Sequence, residues 1–367
     1  MKQVKIGIIG CGVISAIYLK NCKQYRGLEV VAVADLDVSR AKARAEEFGV
    51  EKACSVEELL ADPQIDLVIN LTIPAAHAAV SQQALNAGKH VYLEKPLAVT
   101  REDARKTLEL AEQKNLRVGC APDTFLGGGI QTCIKLIRDG WIGDPVGATA
   151  FMLGRGPEGW HQDPVFFYKA GGGPMFDMGP YYLTAMISML GSISRVAGMT
   201  RTTFPERTIT SAAKYGQKIQ VDIPTHIAGL LEFESGAIGT IITSFDIMGG
   251  SNLPRIEVYG TAGTLFVPDP NTFGGPVMYR RKGAKEITQV PLSHGFAENS
   301  RGVGALDMAL AIAENRPHRA SGALAYHALE AMHGFHDASN SRSHYEMHSK
   351  SSSPEPMPLN ADEAWLV

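Results

Sequence analysis

Cysteine is scarce and unpatterned in this chain of 367 residues: there are five, Cys11, Cys22, Cys54, Cys120 and Cys133, with no C-x-x-C spacing. An odd, scattered set argues against a disulfide framework and against zinc held by paired cysteines. Excess charge is also missing. The 35 Lys and Arg against 38 Asp and Glu leave a net charge of -3, which gives no basic surface for nucleic acid and no polybasic membrane signal. No run is long and apolar enough to span a bilayer, and no charged-then-apolar leader precedes the first strand. A cytoplasmic protein is therefore expected. His344 and His348 have the spacing of metal ligands on a helix but sit in a polar stretch, so no metal site is expected.

What is present begins at the N-terminus. The run VKIGIIGCGVIS, 4–15, reads as a buried parallel strand opening into a glycine turn. Gly10 and Gly12, lacking Cβ atoms, allow the turn and a close approach to a pyrophosphate, and the helix starting at Val13 and Ile14 points its amides at that anion. Ser15 replaces the third glycine of the G-x-G-x-x-G pattern and is small enough to keep helix and strand close. A second apolar strand, 29–34, ends in Asp35, about twenty residues past the glycines, where a carboxylate accepts both ribose hydroxyls of an adenosine. Asp35 repels a 2′-phosphate and so favours NAD over NADP; Arg40 is near enough to the same ribose to matter, but reads first as a solvated helix residue.

Apolar strands then alternate with helices: helix 38–48 stopped by Gly49, a short helix 57–60, strand 66–72, helix 77–87 closed by Gly88, strand 89–93, helix 100–114 and strand 116–121. This predicts a doubly wound parallel sheet over 1–122, with ligands at the carboxyl ends of its strands, where Gly10, Asp35, Thr72, Lys95 and Asp123 fall. From 123 the texture changes. Helix 130–139 and strand 146–153 lead to a loop, 154–173, crowded with Trp160, His161, Phe166, Phe167, Tyr168 and Lys169. A helix from Pro174 carries Asp177, Tyr181 and Tyr182; strands 225–233 and 237–245 form a hairpin, and 255–259 pairs with 264–267. A second α/β domain over 123–348 is expected, with an open-faced, mostly antiparallel sheet, one face of it free for a partner subunit. A Ser/Pro-rich tail, 349–367, is expected to be mobile unless it docks.

Together GIIGCGVIS, AVADLD, TIPAAHAAVSQQALNAGKHVYLEKPLA and GGGPMFDMGPYYLTAMISMLG resemble the Gfo/Idh/MocA (glucose-fructose oxidoreductase, inositol dehydrogenase, rhizopine catabolism) family over about 4–340. The resemblance implies a Rossmann domain, NAD or NADP, redox chemistry at a sugar or cyclitol hydroxyl, and a homodimer or homotetramer pairing through the open sheet. It also implies cofactor contacts from Thr72, Pro74, His77, Glu94 and Lys95, and places Asp123 and Thr124 near nicotinamide or substrate.

Oxidising a secondary alcohol needs a hydride acceptor and a group that takes the hydroxyl proton. Lys95, at a strand end and followed by proline, is the first candidate, and the family gives the matching lysine an active-site role. Lysine's ordinary pKa of about 10.4 requires desolvation before it acts as a base; otherwise it serves as an electrostatic guide. Asp177 matches the aspartate of the family's D-x-G-x-H pattern, where the histidine is the usual acid/base; here that position is Tyr181, one helical turn on. Tyr181 then works with Lys95 as a proton relay, or another base, first of all His161, has moved in. Trp160 is placed to stack on a pyranose. Two alternatives follow: a redox-elimination glycosidase, in which the hydride returns after the aglycone leaves, and a catalytically silent NAD-binding sensor.

Overall fold

The computed structural model describes residues 3–366. Six strands form the first sheet, β1 Val4–Ile9, β2 Leu28–Ala34, β3 Lys52–Cys54, β4 Leu67–Asn70, β5 His90–Leu93 and β6 Val118–Cys120, all parallel in the order β3-β2-β1-β4-β5-β6. Helices α1 Ser15–Cys22, α2 Val38–Phe48, α3 Val56–Ala61, α4 His77–Asn86 and α5 Arg101–Gln113 alternate with them. Their ends obey local chemistry. Asp37 caps α2, and Gly49 closes it in the left-handed region at φ 61°; Ser55 and Glu58 form a reciprocal capping box on α3. The strand order reverses between β1 and β4, and a ligand crevice is expected at that point.

Helix α6, Gly128–Arg138, leads into a nine-stranded sheet. Its members are β7 Pro145–Leu153, then, after helix α7 Gly173–Leu190, β8 Ile193–Arg201. A small separate hairpin follows, β9 Glu206–Thr208 with β10 Lys218–Gln220. The large sheet resumes with β11 His226–Phe233, β12 Ile238–Ser244, β13 Ile256–Gly260, β14 Gly263–Val267, β15 Val277–Arg281 and β16 Thr288–Val290. The chain ends with α8 Val303–Ala313, α9 Gly322–Ser341, β17 Tyr345–Glu346 and α10 Ala361–Trp365. All pairings in the large sheet are antiparallel except β12 with β7. Register separates its two faces. Gly198 and Gly229 lie against the Phe335 ring and backbone of α9, with no room for a Cβ. The opposite face, through the pairs Met199–Ala228 and Leu230–Thr240, exposes Met199, Leu230 and Ile238 at 79%, 53% and 63%.

Two compact units result, and they differ from the expected contiguous division at 122. The first comprises the described residues up to Gly128, Ser293–Tyr326 and those from Pro354 on; the second comprises Gly129–Leu292 and His327–Ser353. The chain returns because α8 packs beside β5 and β6. The tail docks, too. In the second unit Glu330, 1% exposed, accepts from the His348 and Ser349 amides at 2.9 and 2.8 Å. In the first, Arg319 donates to Glu355 and Pro356 carbonyls at 2.8 and 2.9 Å, and Trp365 packs on Phe296. Buried polar groups that the tail helps to satisfy hold it in place.

Candidate active site

The carboxyl edge of the six-stranded sheet gathers the expected cofactor residues in spatial order: Asp35 after β2, Gly10 after β1, Thr72 after β4, Glu94 and Lys95 after β5. That sweep crosses three strand spacings, about 14 Å. Gly10 has φ 101°, and a Cβ there would meet the Leu71 carbonyl at 2.6 Å, so both conformation and space demand glycine. A Cβ on Gly12 would meet no atom within 4 Å. The space above that turn is open. Ser15 is fully buried, and its hydroxyl donates to the Gly12 carbonyl at 2.6 Å, fixing the turn to the start of α1, which Ile14 precedes as N-cap.

Asp35 holds the turn from the other side: Oδ2 accepts from the Cys11 amide at 2.7 Å and Oδ1 from the Asp37 amide at 3.0 Å. A carboxylate has about four lone-pair directions, so two remain for a diol. Arg40 leans toward Asp37 at 3.8 Å and is largely exposed. The Cys11 thiol is pushed up to about 11, by burial first and then by Asp35, which makes it a turn filler and no nucleophile.

Three large apolar side chains at this edge are exposed: Val13 at 92%, Leu36 at 98% and Ile73 at 69%. Open space over a glycine turn, a carboxylate with spare lone pairs and exposed apolar side chains together fit a dinucleotide with two flat rings.

Around Lys95 the main chain is pinned by groups the sequence does not advertise. Asn70, fully buried, donates to the His77 carbonyl and Ser81 Oγ, while its Oδ1 accepts from the Thr72 hydroxyl at 2.6 Å. Glu94 accepts from Tyr18 OH at 2.8 Å and from the Lys95 amide at 3.0 Å. The Lys95–Pro96 peptide is cis. His77 differs from the expectation of a direct cofactor contact: it is 1% exposed, with Nδ1 2.7 Å from the Pro96 carbonyl and Nε2 3.0 Å from the Thr72 carbonyl. Burial lowers its pKa, against the pull of those two carbonyls. It braces the loop of Thr72 and Pro74 against the segment after Lys95.

Asp123 likewise turns inward. It is 1% exposed, and Oδ2 accepts from the Gly302 and Gly304 amides at 2.8 and 3.0 Å at the start of α8. Burial raises its carboxyl to about 6, opposed by those amides and by Arg301. Its job is to cap α8.

In the second unit, α7 is buried at every position except Asp177 and Met178. Asp177 is also its only charged residue, a pattern that packing does not explain. Tyr181 lies one turn further on, 8% exposed. Between them Pro180 offers no amide to the Phe176 carbonyl. In the preceding loop Trp160 is 68% exposed and stands edge to face with His161 at 5.5 Å. His161 Nδ1 accepts from the Asp163 amide at 3.0 Å. In the neutral ring the proton is then on Nε2, so His161 presents a donor and no basic lone pair.

Sequence reasoning missed Asn70, Tyr18 and Arg44. Asn70 was detectable as an amide ending an apolar strand, LVIN. Arg44 donates from Nη2 to the Gly12 carbonyl at 3.3 Å, and only the packing of α2 beside α1 reveals that.

The chain belongs to the Gfo/Idh/MocA oxidoreductases. The pattern of the oxidoreductase family with an NAD-binding Rossmann fold matches residues 4–121, and that of the GFO/IDH/MocA C-terminal domain matches 130–266. Among relatives, 1,5-anhydro-D-fructose reductase of Ensifer adhaerens is 28% identical over 297 residues, 78% of this chain and 82% of that protein. Myo-inositol 2-dehydrogenase of Thermotoga maritima is 25% identical over 264 residues, 72% of this chain and 75% of that one. Against an uncharacterised oxidoreductase of Schizosaccharomyces pombe the match spans only about half of the relative, 53%. A levoglucosan dehydrogenase solved with NADH and L-sorbose superposes with a TM-score of 0.81 at 21% identity, over 95% of this chain and 99% of that one; it shares the fold. The class is thus an oxidoreductase family with an NAD-binding Rossmann fold. Among the described residues no helix is long and apolar enough to cross a membrane.

Proposed function

We propose that this protein is an NAD-dependent oxidoreductase that moves a hydride between nicotinamide and a secondary hydroxyl of a sugar, glycoside or cyclitol, with a keto sugar as the oxidised partner. The observation that carries the reading is the ordered row of Asp35, Gly10, Thr72 and Lys95 along one sheet edge, beside open space and exposed apolar side chains. Bound nicotinamide supplies the hydride acceptor. Lys95, its backbone fixed by Glu94 and His77, holds its ammonium toward the reacting oxygen and stabilises the alkoxide as it forms. Asp177 orients a neighbouring hydroxyl, and Tyr181 relays the proton, its oxygen taking it from the substrate hydroxyl while its own O–H proton leaves to solvent water. Trp160 stacks on the ring, and His161 donates from Nε2. The unpaired, buried cysteines suit a cytoplasmic enzyme. The apolar face bearing Met199, Leu230 and Ile238 suits a homodimer or homotetramer.

The test is a screen of monosaccharides, glycosides and inositols with NAD, following NADH absorbance and product mass. The expected result is NADH with a product two mass units lighter. Aglycone release without net NADH would replace the reading by redox elimination, and proven cofactor binding with silence across the panel would turn it to a sensor.

Cofactor choice is a separate prediction. With Asp35 as the ribose acceptor, Asp35→Ala raises the Kd for NAD roughly tenfold or more, about the value of a charged hydrogen bond, and raises that for NADP less. Titrating both cofactors checks it; an unchanged ratio removes Asp35 from the ribose site.

A further inference from the structure

Between β8 and β11 the chain leaves the large sheet for the excursion 202–224, built on the β9–β10 hairpin. That excursion is fastened to the aromatic loop 154–173 along its length. The Thr210 and Ser211 amides donate to the Glu158 carbonyl at 3.0 and 2.8 Å. Lys214 meets Asp163 at 2.6 Å. The Asp222 amide donates to the Tyr168 carbonyl at 3.1 Å, and Lys169 Nζ donates to the Gln220 carbonyl at 3.0 Å and to Asp222 at 2.7 Å.

Beneath these contacts lies Arg207, its side chain 6% exposed. Nη1 is 3.0 Å from Glu158 Oε1; Nη2 donates to Asp246 Oδ1 at 2.6 Å and to the Phe245 carbonyl at 2.8 Å. Both carboxylates are at least nine-tenths buried. Thr225 Oγ1 donates to the second Asp246 oxygen at 2.8 Å, and the guanidinium lies over the rings of Phe204 and Tyr168 at 4.9 and 5.5 Å. Gly156, at φ 90°, leaves no room for a Cβ beside Glu158 and Tyr168.

An apolar cluster of Phe167, Tyr168, Ile209, Ile219 and Phe245 already packs loop and excursion together. A buried ion pair adds little net stability over apolar packing, since desolvation offsets the attraction. What a planar fork between two fixed carboxylates adds is geometry. Glu158 stands two residues before Trp160, and Phe167 supports both Trp160 and His161 edge to face at 6.1 and 5.2 Å.

We propose that Arg207 is a positioning residue for substrate specificity: through Glu158 and the excursion it holds the Trp160–His161 ledge in the pose that receives the sugar ring. This rests on the sugar-oxidoreductase reading.

The experiment compares wild type with Arg207→Lys and with Glu158→Gln, which keeps the shape of the side chain and removes the charge that Arg207 meets. It reads the fluorescence anisotropy of Trp160, taken as the difference from Trp160→Phe, together with KM and kcat on the best substrate and the Kd for NADH. Arg207→Lys is expected to lower that anisotropy by about a third and to raise KM about tenfold, with kcat and the Kd for NADH each within about threefold. A purely structural role would lower Tm without that split. A folded Arg207→Lys protein with unchanged anisotropy and KM overturns the proposal. If Arg207→Lys does not fold, Glu158→Gln decides: a smaller change of the same sign in both readouts supports it, and no change overturns it. Should wild type turn over no sugar, the oxidoreductase reading fails, and the hold of Arg207 on the ledge is then judged by anisotropy alone.

Discussion

Lys95→Ala is expected to lower kcat/KM by roughly 10³- to 10⁴-fold while the Kd for NADH stays within about threefold, because it removes charge stabilisation and proton handling together. Cofactor affinity is spared because the groups that shape the cradle are elsewhere: Ser15 and Asp35 hold the glycine turn, and Asn70 holds the Thr72 loop. The backbone at 95 is also independent of its own side chain, since Glu94, Tyr18 and His77 pin it from both sides. Lys95→Arg separates the two contributions. A guanidinium keeps the charge but stays protonated at any working pH, so recovery in that variant assigns Lys95 to electrostatic guidance, and continued inactivity assigns it to proton transfer. Steady-state kinetics with NADH fluorescence titration check the prediction. Loss of NADH binding alone would move Lys95 out of the chemistry and into cofactor recognition.

The first sheet was legible because its strands are buried on both faces and its helices carry ordinary caps; the expected helix 38–48 and the observed α2 coincide. The antiparallel hairpin β11–β12 and the pair β13–β14 showed through alternation and their Gly turns. What was not legible depends on distant partners. Strands β9 and β10 are three residues each and mostly polar, so no periodicity marks them, and the carboxylates that meet Arg207 lie 49 positions earlier and 39 later. Docking of the tail hangs on Glu330 and Arg319, which a local reading treats as ordinary surface charges. His77 and Asp123 stood out by type and place as ligand contacts; each is buried against backbone groups that only the folded chain brings to it. Within the candidate site, positions that need a residue type, Gly10 and Asp35 among them, were readable. Positions that need a neighbour, such as Asn70 under Thr72, were not.

Tyr181→Phe is expected to lower kcat by roughly 10²- to 10³-fold with little change in Tm, the usual scale for removing a proton-transfer group. The substitution deletes one oxygen and keeps the ring, so the packing of a helix buried at 16 of its 18 positions is preserved. The competing base is His161, which sits in the loop ahead of α7. Its Nδ1 lone pair already accepts from the Asp163 amide, and the neutral ring therefore turns an N–H outward from Nε2. Taking a proton there would require the ring to flip and abandon that amide, at a cost of about 1 kcal/mol or more. Tyr181 works as a relay, its hydroxyl giving up its own proton as it takes the substrate's, which needs no ring flip. Measuring kcat for Tyr181→Phe beside His161→Gln separates the two. A near-normal rate in Tyr181→Phe with a large loss in His161→Gln would give the proton to the flipped imidazole; a near-normal rate in both would leave it with Lys95.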